Sequence, residues 1–297
     1  MATAMTHSEV VLQNILVATD FSATSEKAFQ YAHAIATRYN SKIHLVHVIE
    51  PAAYEFLAPE SMPPAYEQLR RAAEEQLQEE VSGLEDVRHQ VHLQTGAAWE
   101  TVKALVQQEH IDLVVMGTHG VKGFEKIVLG STAEEIFRSV TCPVLTVGPN
   151  ATTIDLAAGL NCILFPTDLA SDESGALAHA ISLAGKHNAH LTLLHVMSGV
   201  KPPMPGEAEW FEKPYVSRLR RLIPRDANLV YPPECRISYR ETAADAILQV
   251  ARELSADLIV LSVRPEEPWA TRLPDKAYRI VAESMCPVLT VREKEGA

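Results

Sequence analysis

The sequence has few cysteines, no long apolar run and no excess of positive charge. Its four cysteines lie far apart among 297 residues, so no CxxC pair or Cys/His cluster indicates a disulfide framework or a metal site. No apolar run approaches the roughly 18 residues of a membrane helix, and residues 1–9 do not resemble a secretory signal. A net charge of −12 opposes nucleic-acid binding. We therefore expect a cytoplasmic protein with no membrane or nucleic-acid partner. The acidic stretch 74–86 is interpreted as a solvated helix face.

What the sequence does contain is one pattern written twice. The matching segments are, in chain order, 14–20 and 162–168, 44–48 and 192–196, 112–116 and 257–261, and 142–147 and 286–291. The last pair is identical, Cys-Pro-Val-Leu-Thr-Val in both copies. Because the order and spacing are kept, we infer a duplication. It predicts one domain at 1–149, a linker at 150–160 and a second domain at 161–297.

Within each copy, short apolar runs alternate with amphipathic segments. The apolar runs are too short for buried helices and are interpreted as strands, whereas 25–39 carries its apolar residues at helical spacing. Strands that are apolar on both faces and alternate with helices are typical of a parallel sheet. We predict an α/β fold with two tandem Rossmann-like open parallel five-stranded sheets, strand order 3-2-1-4-5, with helices on both faces. Between strands one to four of the first copy, 63–84 is predicted as a long amphipathic helix and 87–93 as the third strand. Prolines shorten the helix that corresponds to 63–84 in the second copy to about 210–222.

Two segments of the first copy lie where such a sheet binds ligands, beyond the carboxyl ends of its strands. The end of strand one carries Asp20. After strand four, Gly117 and Gly120 form a tight loop in which a side chain would block close approach, and Gly130 and Ser131 then open a helix. The start of a helix presents unpaired N–H groups and a positive dipole end. Together these features predict a polyphosphate site.

The spacing of these glycines, G-x2-G-x9-G-[ST], resembles the nucleotide motif of the ATP-binding universal stress proteins. It is not a Walker A loop, because no Gly-Lys-Ser/Thr follows. The resemblance covers nearly the whole chain, since both copies have the family's element spacing and its Cys-Pro-Val-Leu ending. It implies an adenine nucleotide (ATP, or ADP or AMP) as ligand, with Mg²⁺ or Mn²⁺ accompanying the phosphates. The implied nucleotide-binding residues are Ala18, Thr19, Asp20, Val48, Met116, Gly117, His119, Gly120, Gly130, Ser131, Thr132 and Ala133.

The resemblance also implies a role for each part of this set. Asp20 would contact the ribose or adenine, and Val48 would meet adenine through its backbone. Residues 116–120 would line the ribose and phosphate path, and 130–133 would hold the phosphates through N–H and hydroxyl groups. Three alternatives stay open from the residues alone: Asp20 as a cap of the first helix, His119 as a surface-loop residue, and Gly117 and Gly120 as glycines that only make a turn.

The second copy departs from this motif. Ser262 and Pro265 replace the first two glycines, and Pro-Asp replaces Gly-Ser at 274–275. A proline offers no N–H donor, and Glu266 and Glu267 would repel phosphate. We therefore expect no ATP in the second copy.

Three classes of function fit these patterns. The favoured one is a nucleotide-binding stress-response or regulatory protein with at most slow hydrolysis, since nothing in the sequence aims a general base. An adenylating enzyme would need an S-G-G-x-D-S loop or an H-x-G-H pair, and neither is present. The third is a dimeric scaffold without a small ligand. The resemblance implies that the last strands of the two copies pair as an intrachain pseudo-dimer, and it allows a homodimer. The strand-two histidines His44, His47 and His195 are interpreted as core or interstrand residues.

Overall fold

The protein is described by a computed structural model. It describes residues 10–50, 62–118, 131–152, 159–170, 175–204, 206–263 and 275–293. The chain divides into two compact units, one running from Leu12 to Thr152 among the described residues and the other from Gly159 onward. All four cysteines are free thiols. In the described part of the chain, no helix is both long and apolar enough to cross a membrane.

The first unit alternates strands and helices along the chain. Its strands are β1 (Asn14–Ala18), β2 (Lys42–Ile49), β3 (His89–Thr95), β4 (Leu113–Gly117) and β5 (Val144–Val147). Its helices are α1 (Ala23–Tyr39), α2 (Met62–Val81), α3 (Ala98–Gln108) and α4 (Ser131–Ser139).

The second unit repeats this alternation. Its strands are β6 (Cys162–Pro166), β7 (His190–Ser198), β8 (Glu234–Arg240), β9 (Leu258–Val263) and β10 (Val288–Arg292). Its helices are α5 (Gly175–His187), α6 (Ala208–Leu222), α7 (Ala243–Glu253) and α8 (Asp275–Glu283).

The strands of each unit form a parallel sheet in the predicted order. In the first unit the order is β3-β2-β1-β4-β5, with every ladder parallel. The second unit has the equivalent order, β8-β7-β6-β9-β10. The predicted α/β fold class is therefore confirmed. In both units the order reverses beside the first strand, so the carboxyl end of that strand lies at the usual ligand position.

Burial explains why these short segments are strands rather than helices. Ile15, Leu16 and Val17 of β1 have no exposed surface, and Ile163 and Leu164 of β6 have none either. Consecutive side chains of a strand point to opposite faces, so both faces of these strands are covered by helices. Burying each such side chain contributes about 1.5–3 kcal/mol relative to leaving it exposed.

Two elements refine the sequence-based prediction. The strand predicted to begin at Val87 begins at His89, because Val87 is buried in the turn after α2 instead of pairing with β2. The helix of the second copy is shorter, as predicted, since α6 has 15 residues against 20 in α2. Pro214 is the seventh residue of α6, so this internal proline does not end the helix.

Candidate functional site

The carboxyl ends of three neighbouring strands meet at one edge of the first sheet. Ala18, the last residue of β1, is in register with Val46 of β2 on one side and Met116 of β4 on the other. Val48 lies two residues further along β2, and Gly117 ends β4. The predicted strand residues are thus brought side by side at the position where open parallel sheets bind ligands.

The backbone of Val48 faces the space beyond the end of β1. The N–H of Lys42 donates to the carbonyl of Gln13, and the N–H of Thr19 donates to the carbonyl of Val46, so these alternate residues of β2 face β1. By the same alternation, the backbone of Val48 also faces the β1 side of β2. Among the described residues, however, no backbone N–H beyond Thr19 bonds to β2 from that side. The N–H and C=O of Val48 therefore point where a planar ring could accept and donate hydrogen bonds.

A tight turn joins β1 to α1. The N–H of Phe21 donates to Oγ1 of Thr19 at 3.1 Å, and the N–H of Ser22 donates to Oδ1 of Asp20 at 3.1 Å. Phe21 takes a positive φ of 61°. Ser22 is the N-cap of α1, accepting from the N–H of Ser25 at 3.3 Å. Asp20 thus supports the turn before the helix, and the cap itself is Ser22; the exposed Asp20 carboxylate still lies at the sheet edge.

Glu80 also reaches this edge, although no pattern in the sequence indicated it. Oγ1 of Thr19 donates to its Oε1 at 3.1 Å, while its buried Oε2 has no partner among the described residues. Burial raises the pKa of the Glu80 carboxyl, the bond from Thr19 opposes this, and the charges of Glu26 and Asp20 raise it further. The acidic stretch 74–86 is therefore not wholly a solvated face: Glu80 turns inward.

Gly117 is required by packing as well as by any ligand. A Cβ placed on it would lie 2.9 Å from the backbone nitrogen of Ser25, 2.9 Å from Oγ1 of Thr24 and 3.0 Å from the carbonyl carbon of Thr24. These atoms belong to the first turn of α1, which crosses the end of β4. The predicted close approach at this glycine is thus, at least in part, an approach by the protein's own helix.

The remaining predicted residues lie in and before α4. Ser131 is the first residue of α4, at the predicted helix start, and Thr132 is half-buried. Ala133 is 5% exposed, so it faces the core and can reach a ligand only through its backbone. His119, Gly120, Gly130 and the side chain of Ser131 lie outside the described residues.

The second unit builds the same turn at its own strand end. The N–H of Leu169 donates to Oγ1 of Thr167 at 3.1 Å, and the N–H of Ala170 donates to Oδ1 of Asp168 at 2.9 Å. Leu169 has a positive φ of 60°. Because the unit with the degenerate loop carries the same turn, the Thr-Asp pair is a feature of the fold and does not by itself indicate a nucleotide.

Two histidines of the second strands, His47 and His195, have the interstrand role interpreted from the sequence. Nδ1 of His47 lies 2.9 Å from the carbonyl oxygen of Thr19, and Nδ1 of His195 lies 2.9 Å from that of Thr167. In each pair the ring N–H donates to the carbonyl and holds the first strand's end against the second strand. His44 is 1% exposed and lies in the core.

The fold of the two units and the carboxyl edge of the first sheet together define a class of protein. It is a tandem Rossmann-like α/β protein with a candidate ligand site in its first unit. The model of the universal stress protein family matches residues 12–148 and 161–292. The chain therefore belongs to the universal stress protein family, and both of its copies do.

Individual relatives agree with this assignment. The chain is 34% identical over 139 residues to the universal stress protein A homolog 1 of Coxiella burnetii, covering 46% of this chain and 95% of that protein. It is 28% identical over 144 residues to a universal stress protein of Methanocaldococcus jannaschii, covering 48% and 85%. A solved universal stress protein of Archaeoglobus fulgidus has a TM-score of 0.66 at 20% identity, over 94% of this chain and 98% of that one. This last similarity supports the fold.

Proposed function

We propose that the protein is a nucleotide-binding regulatory member of its family, with one adenine nucleotide (ATP, ADP or AMP) held at the carboxyl edge of the first sheet. The observation that carries the proposal is the meeting of the ends of β1, β2 and β4 beside the segment that holds the glycine motif. The second unit has the same strand ends without the motif, and we propose that it binds none.

Each part of a nucleotide has a suitable partner at this edge. The outward-facing backbone of Val48 suits the adenine ring, whose edge carries both donors and acceptors. The exposed carboxylate of Asp20 suits the ribose hydroxyls. The unpaired N–H groups at the start of α4 suit the phosphates.

The charge of the edge favours a nucleotide that arrives with a cation. Asp20 and Glu26 lie close enough to Glu80 to raise the pKa of its carboxyl, so negative charge already gathers here. Phosphates would add to it. Mg²⁺ or Mn²⁺, which prefer phosphate and carboxylate oxygens, would offset both charges. We propose that the output is a conformation or complex that depends on bound nucleotide, with at most slow hydrolysis.

The test has two steps. Purified protein is denatured and any released nucleotide identified; apo protein is then titrated with ATP and Mg²⁺ by calorimetry. We expect one equivalent per chain. The Gly130→Asp variant places a carboxylate in the phosphate path and should weaken binding by more than about tenfold, which corresponds to about 1.4 kcal/mol. The matched control, Pro274→Asp, puts the same group at the corresponding position of the second unit and should leave binding unchanged.

The other outcomes name other functions. No binding at millimolar ATP would favour a scaffold without a small ligand. Two equivalents per chain, or a loss in Pro274→Asp, would overturn the assignment to the first unit alone. Turnover that releases pyrophosphate would favour an adenylating enzyme.

A further inference from the structure

A second cluster of chemically active side chains lies in the first unit, away from the nucleotide edge. His44 of β2, His92 of β3 and Glu109, the C-cap of α3, bring one ligand atom each within 4.8 Å of one another. Nδ1 of His44 is 3.2 Å from Nε2 of His92 and 3.9 Å from Oε2 of Glu109. The neighbouring Asn14 is the first residue of β1, so the cluster lies toward the amino edge of the sheet.

We propose that His44, His92 and Glu109 form a binding site for a divalent transition-metal ion, Zn²⁺ above all. Two imidazoles and one carboxylate are a ligand set that zinc uses with a water molecule in the fourth position. Two nitrogens bound tetrahedrally to one zinc ion lie about 3.3 Å apart, close to the separation already present between the rings. This site is independent of the proposed nucleotide site.

A hydrogen-bond chain fixes which nitrogen of His44 can act as a ligand. Nδ2 of Asn14 donates to the carbonyl of His110 at 3.4 Å, which turns its Oδ1 toward His44. Nε2 of His44 lies 3.4 Å from that oxygen and therefore carries the proton. Its Nδ1 keeps a lone pair, directed at His92. Metal-bound histidines commonly have such an outer partner, which holds the tautomer and the ring orientation.

The two rings are held out of water. His44 is 1% exposed and His92 is 8% exposed. Burial, with the charge of Lys42, lowers the pKa of His44 to about 4, and burial also lowers the pKa of His92. The Lys42 ammonium, bonded to Gln90 at 2.6 Å, is a nearby group that opposes a cation.

The carboxylate of Glu109 offsets the positive charge of the Lys42 ammonium. A negative side chain at the C-terminal end of a helix is electrostatically unfavourable, because the last carbonyls already carry partial negative charge. Beside two buried imidazoles, the same carboxylate completes a cation site. Without metal, Nε2–H of His92 donates to Nδ1 of His44. With an ion bound, His92 would carry its proton on Nδ1 instead, which leaves the Nε2 lone pair for the metal.

The second unit provides the contrast within the same fold. By strand register, Thr192 of β7 takes the place of His44, Arg236 of β8 that of His92, and Leu254, the C-cap of α7, that of Glu109. Arg236 is instead paired with Glu234 at 2.7 Å. The ligand set therefore belongs to the first unit alone, and we expect one ion per chain.

The test is calorimetric titration of the full-length protein with Zn²⁺, repeated with Co²⁺ while its visible spectrum is recorded. We expect one equivalent, a tetrahedral Co²⁺ spectrum without a thiolate charge-transfer band, and a higher melting temperature with Zn²⁺ present. Glu109→Gln and His92→Gln should each weaken binding at least about tenfold, since even losing an outer partner costs that much. Glu100→Gln, an exposed carboxylate on the same helix, should bind as the wild type does.

Glu109→Gln guards against a trivial result, because its side chain is 31% exposed and its removal should not harm folding. Absence of zinc binding in the wild type would overturn the site and leave His44 and His92 as a neutral hydrogen-bonded pair. Zinc binding that survives both substitutions, or a thiolate band with Co²⁺, would place the ion elsewhere. ATP binding should be the same in Glu109→Gln and wild type, so failure of this site and failure of the nucleotide site are distinguishable.

Discussion

The two units reach the same strand-end turn and then diverge after the fourth strand. In each unit, the side chain of the threonine (Thr19 or Thr167) accepts from the backbone N–H two residues later. The side chain of the following aspartate (Asp20 or Asp168) also accepts from the backbone N–H two residues after it. Beyond these matching turns, the first unit ends β4 at Gly117, whereas Ser262 lies at that place in β9. Duplication preserved the turn and changed its surroundings.

The comparison separates what the fold needs from what a ligand would need. A feature present in both units, such as the Thr-Asp turn or the histidine beneath it, cannot explain an activity of one unit. A feature of one unit, such as Gly117, requires a local reason. Here that reason is partly steric, because the first turn of α1 lies against Gly117. Ser262 instead donates a hydrogen bond to Glu293.

The largest effect on stability is expected from giving each unit the other unit's residue at this position, Gly117 or Ser262. Gly117→Ser would press its Cβ against the backbone of Thr24 and Ser25, at separations of 2.9–3.0 Å, and should destabilise the first unit by about 2 kcal/mol. Ser262→Gly removes the bond to Glu293 and adds backbone freedom, for a smaller loss of about 1 kcal/mol in the second unit. Urea unfolding gives the free energies, and hydrogen exchange identifies the unit affected. A Gly117→Ser protein as stable as the wild type would show that α1 can retreat, leaving ligand approach as the reason for the glycine.

A smaller loss of stability is expected from substitutions in the strand-end turn that both units share. Asp20→Ala and Asp168→Ala each remove one side-chain acceptor from a backbone N–H, so each should destabilise its own unit by about 1 kcal/mol. Only Asp20→Ala should also weaken ATP binding, since only the first unit has the motif. Urea unfolding and ATP titration of both variants test this. Equal ATP affinity in the two variants would mean that Asp20 is a turn residue and nothing more.

The sequence predicted the parts of this molecule that depend on local pattern. The duplication and the short apolar runs determined the parallel sheets, and parallel sheets bring Ala18, Val48 and Met116 to one edge. Contacts between distant elements could not be predicted in this way. Nothing in the sequence indicates that Glu80 turns inward toward Thr19, because an inward glutamate on an amphipathic helix resembles its solvated neighbours.

The candidate metal ligands escaped prediction for the same physical reason. His44, His92 and Glu109 come from two strands and a helix, so their spacing along the chain matches no metal motif. Only the register that pairs His92 with Val46 brings the two rings together. The opposite case is Gly117, where the sequence identified the residue but not the neighbour that requires it.

The smallest effect on stability is expected at Glu80, whose carboxyl distinguishes the carboxyl edge of the first sheet from that of the second. This effect depends on pH. Among the described residues, Thr19 is bonded to a carboxyl, that of Glu80, whereas no carboxyl takes the same place on Thr167. The pKa of Glu80 is raised in the folded protein, mainly by burial, so folding favours its protonated form. Its contribution to stability is therefore fully present below the unfolded pKa of about 4.3 and is lost as the pH rises through the folded pKa.

Glu80→Gln keeps the oxygen that accepts from Thr19 and removes the charge. The variant should be more stable than the wild type at pH 7, by less than about 1 kcal/mol because the group is only half-buried and solvent screens it. The advantage should shrink toward zero as the pH falls below about 4, where wild-type Glu80 becomes protonated in both states. Melting temperatures of both proteins across this range measure it, with Glu79→Gln, an exposed neighbour on the same helix, as the matched control. A difference that stays constant with pH would mean that the pKa of Glu80 is the same in the folded and unfolded proteins, so that its surroundings do not disfavour the charged form.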